Sequence, residues 1–473
     1  MKASRLLIGG EWTEGPSQFE VTNKFTGERI ATVASASRDQ VGRAVAAAAD
    51  AFNRTRLTAS ARYEFLQRAA ALIETRRAEI KSTIVAESGF TVSDADGEIA
   101  RTIQTLLLCA EESKRIVGEM VPIDGAPGQE NRLAFTIRMP VGVVCAITPF
   151  NSPLNTVAHK VGPALAAGNS VVLKPATQTP LTAAILCEVL MEAGAPPGFL
   201  NLVQGEGPEV GEWLLQEQQV AFYTFTGSTR VGAIIQRAIG LRRSQLELGS
   251  ISATIVCEDA DLSRAVPRCV NASFRKAGQV CTSVQRLYVQ RSILDGFAAS
   301  LVDATSKARV GDPMDPATLV GPMISEREAE RAASWVREAV EQGARLMCGG
   351  RREGALFFPT ILLDVTASMR VMCNEVFAPV ISILPYDSLD AVFAEINSTP
   401  YGLAAGIFTT NVNTAMKAAR QLQVGTIHVN ETSSSRVDVM PYGGVKESGF
   451  GREGPKYAIQ EMTEERLITW SLY

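Results

Sequence analysis

Apolar residues recur with a helical period through much of the first 120 residues. VGRAVAAAADAF, YEFLQRAAALIETRRAEI and GEIARTIQTLLLCAEESKRIV each gather Ala, Leu, Ile and Val on one face. From residue 140 the pattern changes. Short β-rich runs, VGVVCAI (141–147), SVVLK (170–174), FLNLVQ (199–204), VAFYTFT (220–226) and SQLEL (244–248), alternate with helix-length segments such as LNTVAHKVGPALAAG and LTAAILCEVLMEAG. Parallel neighbours can be joined only by a long crossover, so this order predicts βαβ units. A second series runs from 250 to 450, with SATIVC, RLYVQ, PVISILP and GIFTT as strands and VREAVEQGARL and AMKAARQLQ as helices. The expected fold class is α/β. Segments 126–139 and 462–473 read as strands of neither series; they invite pairing with another subunit, or lie as a hairpin on the chain's own surface.

A chain of 473 residues exceeds what one core usually organises, so two or three packed domains are expected. With 46% hydrophobic and 20% charged residues it has the composition to bury real cores. A net charge of −4 argues against a nucleic-acid partner, which calls for a basic face. No apolar run approaches the ~20 residues that span a bilayer, and the apolar stretch in MKASRLLIGGEW is too short for a signal-peptide core. The expectation is a cytoplasmic chain with no membrane partner. Eight cysteines without a CxxC pair, and only two histidines, His159 and His428, leave no zinc-like cluster, so no metal is expected. A GxSxG elbow is absent as well.

Two residues carry candidate chemistry. Cys281, in AGQVCTSVQR, sits among small residues suited to an exposed turn, and a thiolate there attacks carbonyl carbon. Glu247, in SQLELGS, closes a predicted strand before Gly249, where a carboxylate can act as general base on the thiol or on a water. Alone, a cysteine is more often a buried small hydrophobe and a glutamate a solvated surface charge.

Context changes that reading. The stretches P140-V-G-V-V, ITPFNSPL (147–154), VVLKPATQTPL (171–181), FTGSTRVG (225–232), LELG (246–249), GQVC (278–281), EVFAPV (375–380) and PYGGVKESGFGREG (441–454) together resemble the aldehyde dehydrogenase superfamily, over residues 10 to 465. The resemblance implies a Rossmann-type cofactor domain (1–121 and 140–246), an α/β catalytic domain (247–455) and a β oligomerisation arm (122–139 and 456–473) in a homodimer or homotetramer. It implies Cys281 as nucleophile, Glu247 as general base and Asn151 as the oxyanion amide assisting the Cys281 N–H. Thiolate attack puts negative charge on the aldehyde oxygen, and each donor there is typically worth ~2.7–4 kcal/mol. Collapse of that oxyanion sends hydride to the nicotinamide and leaves a thioester for Glu247 and water. For NADP or NAD, Lys174 matches the adenosine-ribose contact, Ser228 the pyrophosphate contact at a helix N-terminus, and Glu375 and Phe377 the nicotinamide ribose and ring. Ile147, Thr148, Pro149, Thr177, Gly207, Gly211, Phe225, Gly227, Leu248 and Gly249 complete the expected cofactor residues. Gly449, Gly451 and Gly454 also satisfy GxGxxG, but too little chain follows for a βαβ unit, so they are read as a turn near the domain interface.

Two departures shape the expected specificity. Members of the family that prefer NAD usually carry Glu three residues after the lysine; Thr177 stands there, which removes repulsion of a 2′-phosphate and predicts that NADP is accepted. The helix after Asn151 is expected to turn Ser152, Thr156 and His159 toward the substrate tunnel. With Thr282, and with Arg101 and Arg436 as guanidinium forks, they predict a short oxygenated or anionic aldehyde, as in the lactaldehyde, semialdehyde and glyceraldehyde branch. A coenzyme A-acylating relative is the nearest rival, disfavoured because such enzymes generally lack the base at 247. An acyl-phosphate reductase is disfavoured for the same reason, and a non-catalytic relative by the retention of Cys281, Glu247, Asn151, Lys174 and Glu375.

Overall fold

The computed structural model describes residues 2–472; Met1 and Tyr473, the outermost residues of the expected cofactor domain and arm, lie outside the described residues. The expected parallel series forms one sheet. Its strands run Arg243–Glu247, Val220–Thr226, Val143–Ile147, Ser170–Lys174, Leu200–Leu202, every neighbour parallel. Four of the five are buried without alternation because both faces are covered; the helix Asn155–Ala167 on one face is buried at every position. The chain starts at Val143–Ile147, builds outward to Leu200–Leu202, then crosses back to the other side of its starting strand. Strand order reverses between Val143–Ile147 and Val220–Thr226, and the crevice beyond the carboxyl ends at such a reversal is where open α/β sheets take ligands.

The helical reading of the N-terminal region needs correction for its first 35 residues. Leu6–Ile8 and Glu11–Thr13 form a hairpin that extends the parallel sheet antiparallel to Leu200–Leu202. Lys2–Ser4, Arg29–Ser35 and Ser17–Thr22 make a separate three-stranded sheet. Three of these strands have only three residues, too few to show a period, and the alanine-rich helices behind them dominated the pattern. The helices follow: Arg38–Arg54, Ala59–Thr75, Arg77–Ser88 and Val92–Ser113, the second and third divided where Arg76 leaves helical geometry.

The second series forms a seven-stranded sheet. Thr360–Leu363, Val380–Tyr386, Arg286–Gln290, Ala253–Val256, Ala404–Phe408 and Thr426–Val429 are parallel in that order, and Arg345–Cys348 adds an antiparallel edge. The two strands that fitted neither series pair with each other: Thr463–Ser471 lies antiparallel to Arg132–Pro140, from Thr463↔Pro140 to Ser471↔Arg132, with Met120–Val121 on the far side. The residues just before belong elsewhere, because helix Pro455–Glu461 sends Ile459, and Met462 after it, into the core around Asn155–Ala167.

The glycine-rich C-terminal segment returns to the first sheet. Gly449–Phe450 lies antiparallel to Arg243–Glu247, with Gly449 opposite Glu247. A Cβ at Gly449 (φ +102°) would overlap the Leu246 carbonyl, so only glycine lets the two backbones meet there. The segment expected within the catalytic domain thus closes the edge of the cofactor sheet.

Candidate active site

Cys281 follows a turn of costly backbone. Lys276 and Ala277 (both φ +53°) and Gly278 (φ +68°) are left-handed in succession. A Cβ at Gly278 would overlap the Ala378 carbonyl, and a non-glycine residue in this region costs roughly 1–3 kcal/mol unless its surroundings hold it. Here they do. The buried Lys276 ammonium donates to Glu98 Oε2 (2.6 Å) and to the Asn151 carbonyl (2.9 Å). Glu98 Oε1 in turn accepts from the Leu154 and Asn155 amides and the Ser152 hydroxyl. The turn bearing Asn151 and the turn bearing Cys281 are fixed by one buried ion pair.

The thiol of Cys281 is half-buried, with Sγ 3.0 Å from the Tyr442 hydroxyl. Burial pushes its pKa up to about 11; the Tyr442 hydrogen bond opposes this, Glu247 and Glu375 add to it, and Arg436 opposes. Glu247 ends the strand Arg243–Glu247, is buried, and neither of its oxygens meets a hydrogen-bond donor. Burial first, then the neighbouring Glu453, holds its carboxyl well above the usual range. Glu453 goes the other way: burial alone would raise it, but Lys160 (2.9 Å) and Arg436 (2.8 Å) keep it ionised. Asn151 lies near the turn, its Nδ2 donating to the Gln279 carbonyl at 2.9 Å.

One cavity of about 1450 Å³ joins these groups to the carboxyl ends of the first sheet. Ser228 caps helix Thr229–Ile239, its hydroxyl accepting from the Val231 N–H, so the helix N-terminus faces the cavity. Lys174 ends its strand buried, bonded among the described residues to the Pro175 carbonyl (3.3 Å), and burial lowers its pKa to about 8. Glu375 takes the Ser250 N–H (3.0 Å), and burial lifts it to about 7. A Cβ at Gly249 would press on Glu375 Oε2 (2.9 Å), so glycine keeps that carboxyl open to the cavity. An unpaired buried lysine, a helix N-terminus and an accessible carboxylate suit, in turn, an adenosine ribose or its phosphate, a pyrophosphate and a ribose diol, the donor and acceptor set of a nicotinamide dinucleotide.

Beyond the thiol lies a cationic end. Arg101 grips Asp438 with two bonds (2.7 and 3.1 Å), and Arg436 pairs with Glu453 while stacking 3.8 Å over the Tyr442 ring. Arg275 also faces the cavity, yet it bonds the Ser434 hydroxyl (2.9 Å) rather than a carboxylate. Thr282 lies beside it, 3.4 Å from Ser434 Oγ. Among the described residues, no group of three or more His, Cys, Asp or Glu is placed to hold a metal ion.

The aldehyde dehydrogenase family profile matches residues 12–468. The chain belongs to the aldehyde dehydrogenase family. It is 51% identical over 472 residues to the 3-sulfolactaldehyde dehydrogenase of Priestia megaterium, covering 100% of this chain and 99% of the relative. Among solved structures, aldehyde dehydrogenase 21 of Physcomitrella patens in complex with its product succinate superposes with TM-score 0.97 at 36% identity, over 99% of this chain and 98% of that one. The NADP-dependent glyceraldehyde-3-phosphate dehydrogenase of Bacillus halodurans, complexed with NADP, superposes with TM-score 0.97 at 34% identity, over the whole of both chains. The chain is thus an oxidoreductase acting on a small aldehyde with NAD or NADP.

In this aldehyde dehydrogenase the cavity gathers all the residues expected from sequence except two. Thr177 turns its hydroxyl onto the Gly205 carbonyl (3.1 Å) and is not on the cavity wall. His159 is buried behind the wall, with Nε2 2.8 Å from Asp438 and 3.3 Å from Thr105 Oγ1. The shared helical face assumed for it does not exist. The helix begins at Asn155 rather than Asn151, so Ser152 lies in the preceding turn, and Thr156 is the member of the trio on the helix that faces the cavity. Sequence reasoning missed Arg275, Ser434, Tyr442 and the Glu98–Lys276 pair. Tyr442 stood within a matched motif and Arg275 beside the turn before Cys281, so proximity to those motifs was the available signal.

Proposed function

We propose that this enzyme oxidises a short aldehyde with an anionic tail, a sulfonate as in 3-sulfolactaldehyde or a carboxylate, through a thiohemiacetal and a thioester on Cys281. The observation that carries the substrate end is Arg275. It faces the cavity with its guanidinium bonded to the Ser434 hydroxyl, whereas Arg101 and Arg436 each hold an acidic partner. A guanidinium fork and the Ser434 hydroxyl form a natural cradle for a planar carboxylate or a tetrahedral sulfonate. The names of the compared proteins support the reading, since sulfolactaldehyde, succinate and glyceraldehyde 3-phosphate all end in an anion.

Cys281, once ionised, forms a C–S bond to the aldehyde carbon, and the carbonyl π pair moves to oxygen. The Asn151 amide and the Cys281 N–H receive that charge, Asn151 exchanging its resting bond to Gln279. The nicotinamide, when bound, accepts the hydride that leaves the same carbon. Glu247 in its ionised form then takes a proton from water; the water oxygen bonds the thioester carbon, and the thiolate departs as the acid forms. A buried base with no resting partner supports hydrolysis rather than transfer to coenzyme A. Lys174, with exposed Glu206 as the acid nearest it in effect, supports acceptance of a 2′-phosphate, hence of NADP. The exposed outer strand Thr463–Ser471, carrying Leu467 and Trp470, supports a homodimer or homotetramer joined through that edge.

The test is a panel of 3-sulfolactaldehyde, succinate semialdehyde, lactaldehyde, glyceraldehyde 3-phosphate and propanal with each cofactor. An anionic aldehyde is expected to exceed propanal by about 100-fold in kcat/KM, the scale of one well-paired charged contact. Equal values for propanal and the anionic aldehydes would sink the anion pocket.

A further inference from the structure

We propose that Tyr442 is a further catalytic residue, its phenolic hydrogen donated to the Cys281 sulfur whenever that sulfur is a thiolate. The contact is direct, 3.0 Å from Oη to Sγ. The phenol is held from two sides. Its main chain exchanges bonds with Glu453, Tyr442 N–H to the Glu453 carbonyl (3.1 Å) and Glu453 N–H to the Tyr442 carbonyl (2.7 Å). Its ring is covered at 3.8 Å by Arg436, which is tied to Glu453.

The charged and titratable groups facing the sulfur are Glu247, Glu375, Arg436, Arg275 and Tyr442, and of these the Tyr442 hydroxyl is the one bonded to it. Two acidic hydrogens therefore meet at one contact. Burial holds the phenol well above its ordinary value, and the neighbouring thiol holds it higher still, so the thiol ionises first and the phenol remains the donor. The thiol proton passes to water and Tyr442 keeps its own. Sulfur bonded to carbon is a poor acceptor, so the bond favours thiolate over adduct. The same donor is in place when the thiolate leaves during hydrolysis.

This proposal rests on Cys281 as nucleophile, and its test reads the sulfur without an aldehyde. Iodoacetamide labelling of the Cys281 peptide is followed across pH by mass spectrometry in the wild type and in Tyr442→Phe. The variant is expected to label about tenfold more slowly near neutral pH and to converge with the wild type at high pH, a rise of about one pKa unit. If Tyr442→Phe does not fold, the chain with 3-fluorotyrosine at position 442, a stronger donor, is expected to shift the profile downward. An unchanged profile, even with slower turnover, would overturn the proposal and leave a packing role. So would a downward shift in Tyr442→Phe, which would mean that the phenol accepts from the thiol. Retained aldehyde oxidation in Cys281→Ala would sink the nucleophile itself, a separate failure.

Discussion

Lys276 reaches Glu98 across 2.6 Å and, with the same ammonium, holds the Asn151 carbonyl at 2.9 Å. Helix Val92–Ser113, the turn before Asn155–Ala167 and the left-handed turn before Cys281 therefore share one fastening. Removing one member of a buried ion pair leaves an uncompensated charge, at a cost of about 3–5 kcal/mol. Lys276→Met is expected to lower stability by that amount in denaturant unfolding and to reduce kcat as both turns relax. A midpoint within error of the wild type would show that the pair does not brace the site.

On the proposed mechanism Glu247 acts in the second of two chemical stages. Glu247→Gln keeps Cys281 and the hydride geometry but removes the base, so a rapid burst of NAD(P)H is expected to survive while steady turnover falls about 100-fold or more. Because its carboxyl is held well above the usual range, the base form grows as pH rises. Hydrolysis-limited kcat in the wild type is expected to climb with pH beyond the usual carboxylate range, and the Gln variant to lose that limb. Stopped-flow absorbance resolves both stages.

Arg275→Gln removes the guanidinium that bonds the Ser434 hydroxyl at the cavity wall. KM for the anionic aldehydes is expected to rise about 10- to 100-fold, with propanal almost unmoved. Parallel losses on both substrate types would place Arg275 in the scaffold instead.

Lys174 sits buried with a pKa of about 8, so its charge fades as pH passes that value. Affinity for NADP is expected to weaken above this pH more than affinity for NAD. Lys174→Met is expected to raise KM for NADP roughly tenfold at neutral pH and to flatten the dependence. Cofactor titrations at several pH values give the comparison.

Much of the architecture was legible because its signals are local. Runs such as SVVLK and VAFYTFT became the strands Ser170–Lys174 and Val220–Thr226, and the motifs around Cys281, Glu247 and Ser228 named a cavity wall that folding brings together. What stayed hidden depends on partners far along the chain. Arg101 and Arg436 looked free in sequence, and only the fold reveals Asp438 and Glu453 beside them. Their loss is thus expected to act on stability at least as much as on substrate affinity. His159 failed for a nearer reason: the helix starts at Asn155, which takes Ser152 off the assumed face, and His159 is turned into buried contact with Asp438 and Thr105. The short strands at Leu6–Ile8 and Glu11–Thr13 carried too few residues to register any period.

The segment that folds back onto Arg243–Glu247 brings Tyr442 and Glu453 to residues synthesised long before it. During translation the turn before Cys281 and the other strands of both sheets emerge before this segment does. A nascent chain halted short of that segment would lack Tyr442 against the Cys281 sulfur and Glu453 beside Glu247. The surroundings of Cys281 and Glu247 are therefore completed only when residues 442–453 fold back onto the strand that ends at Glu247.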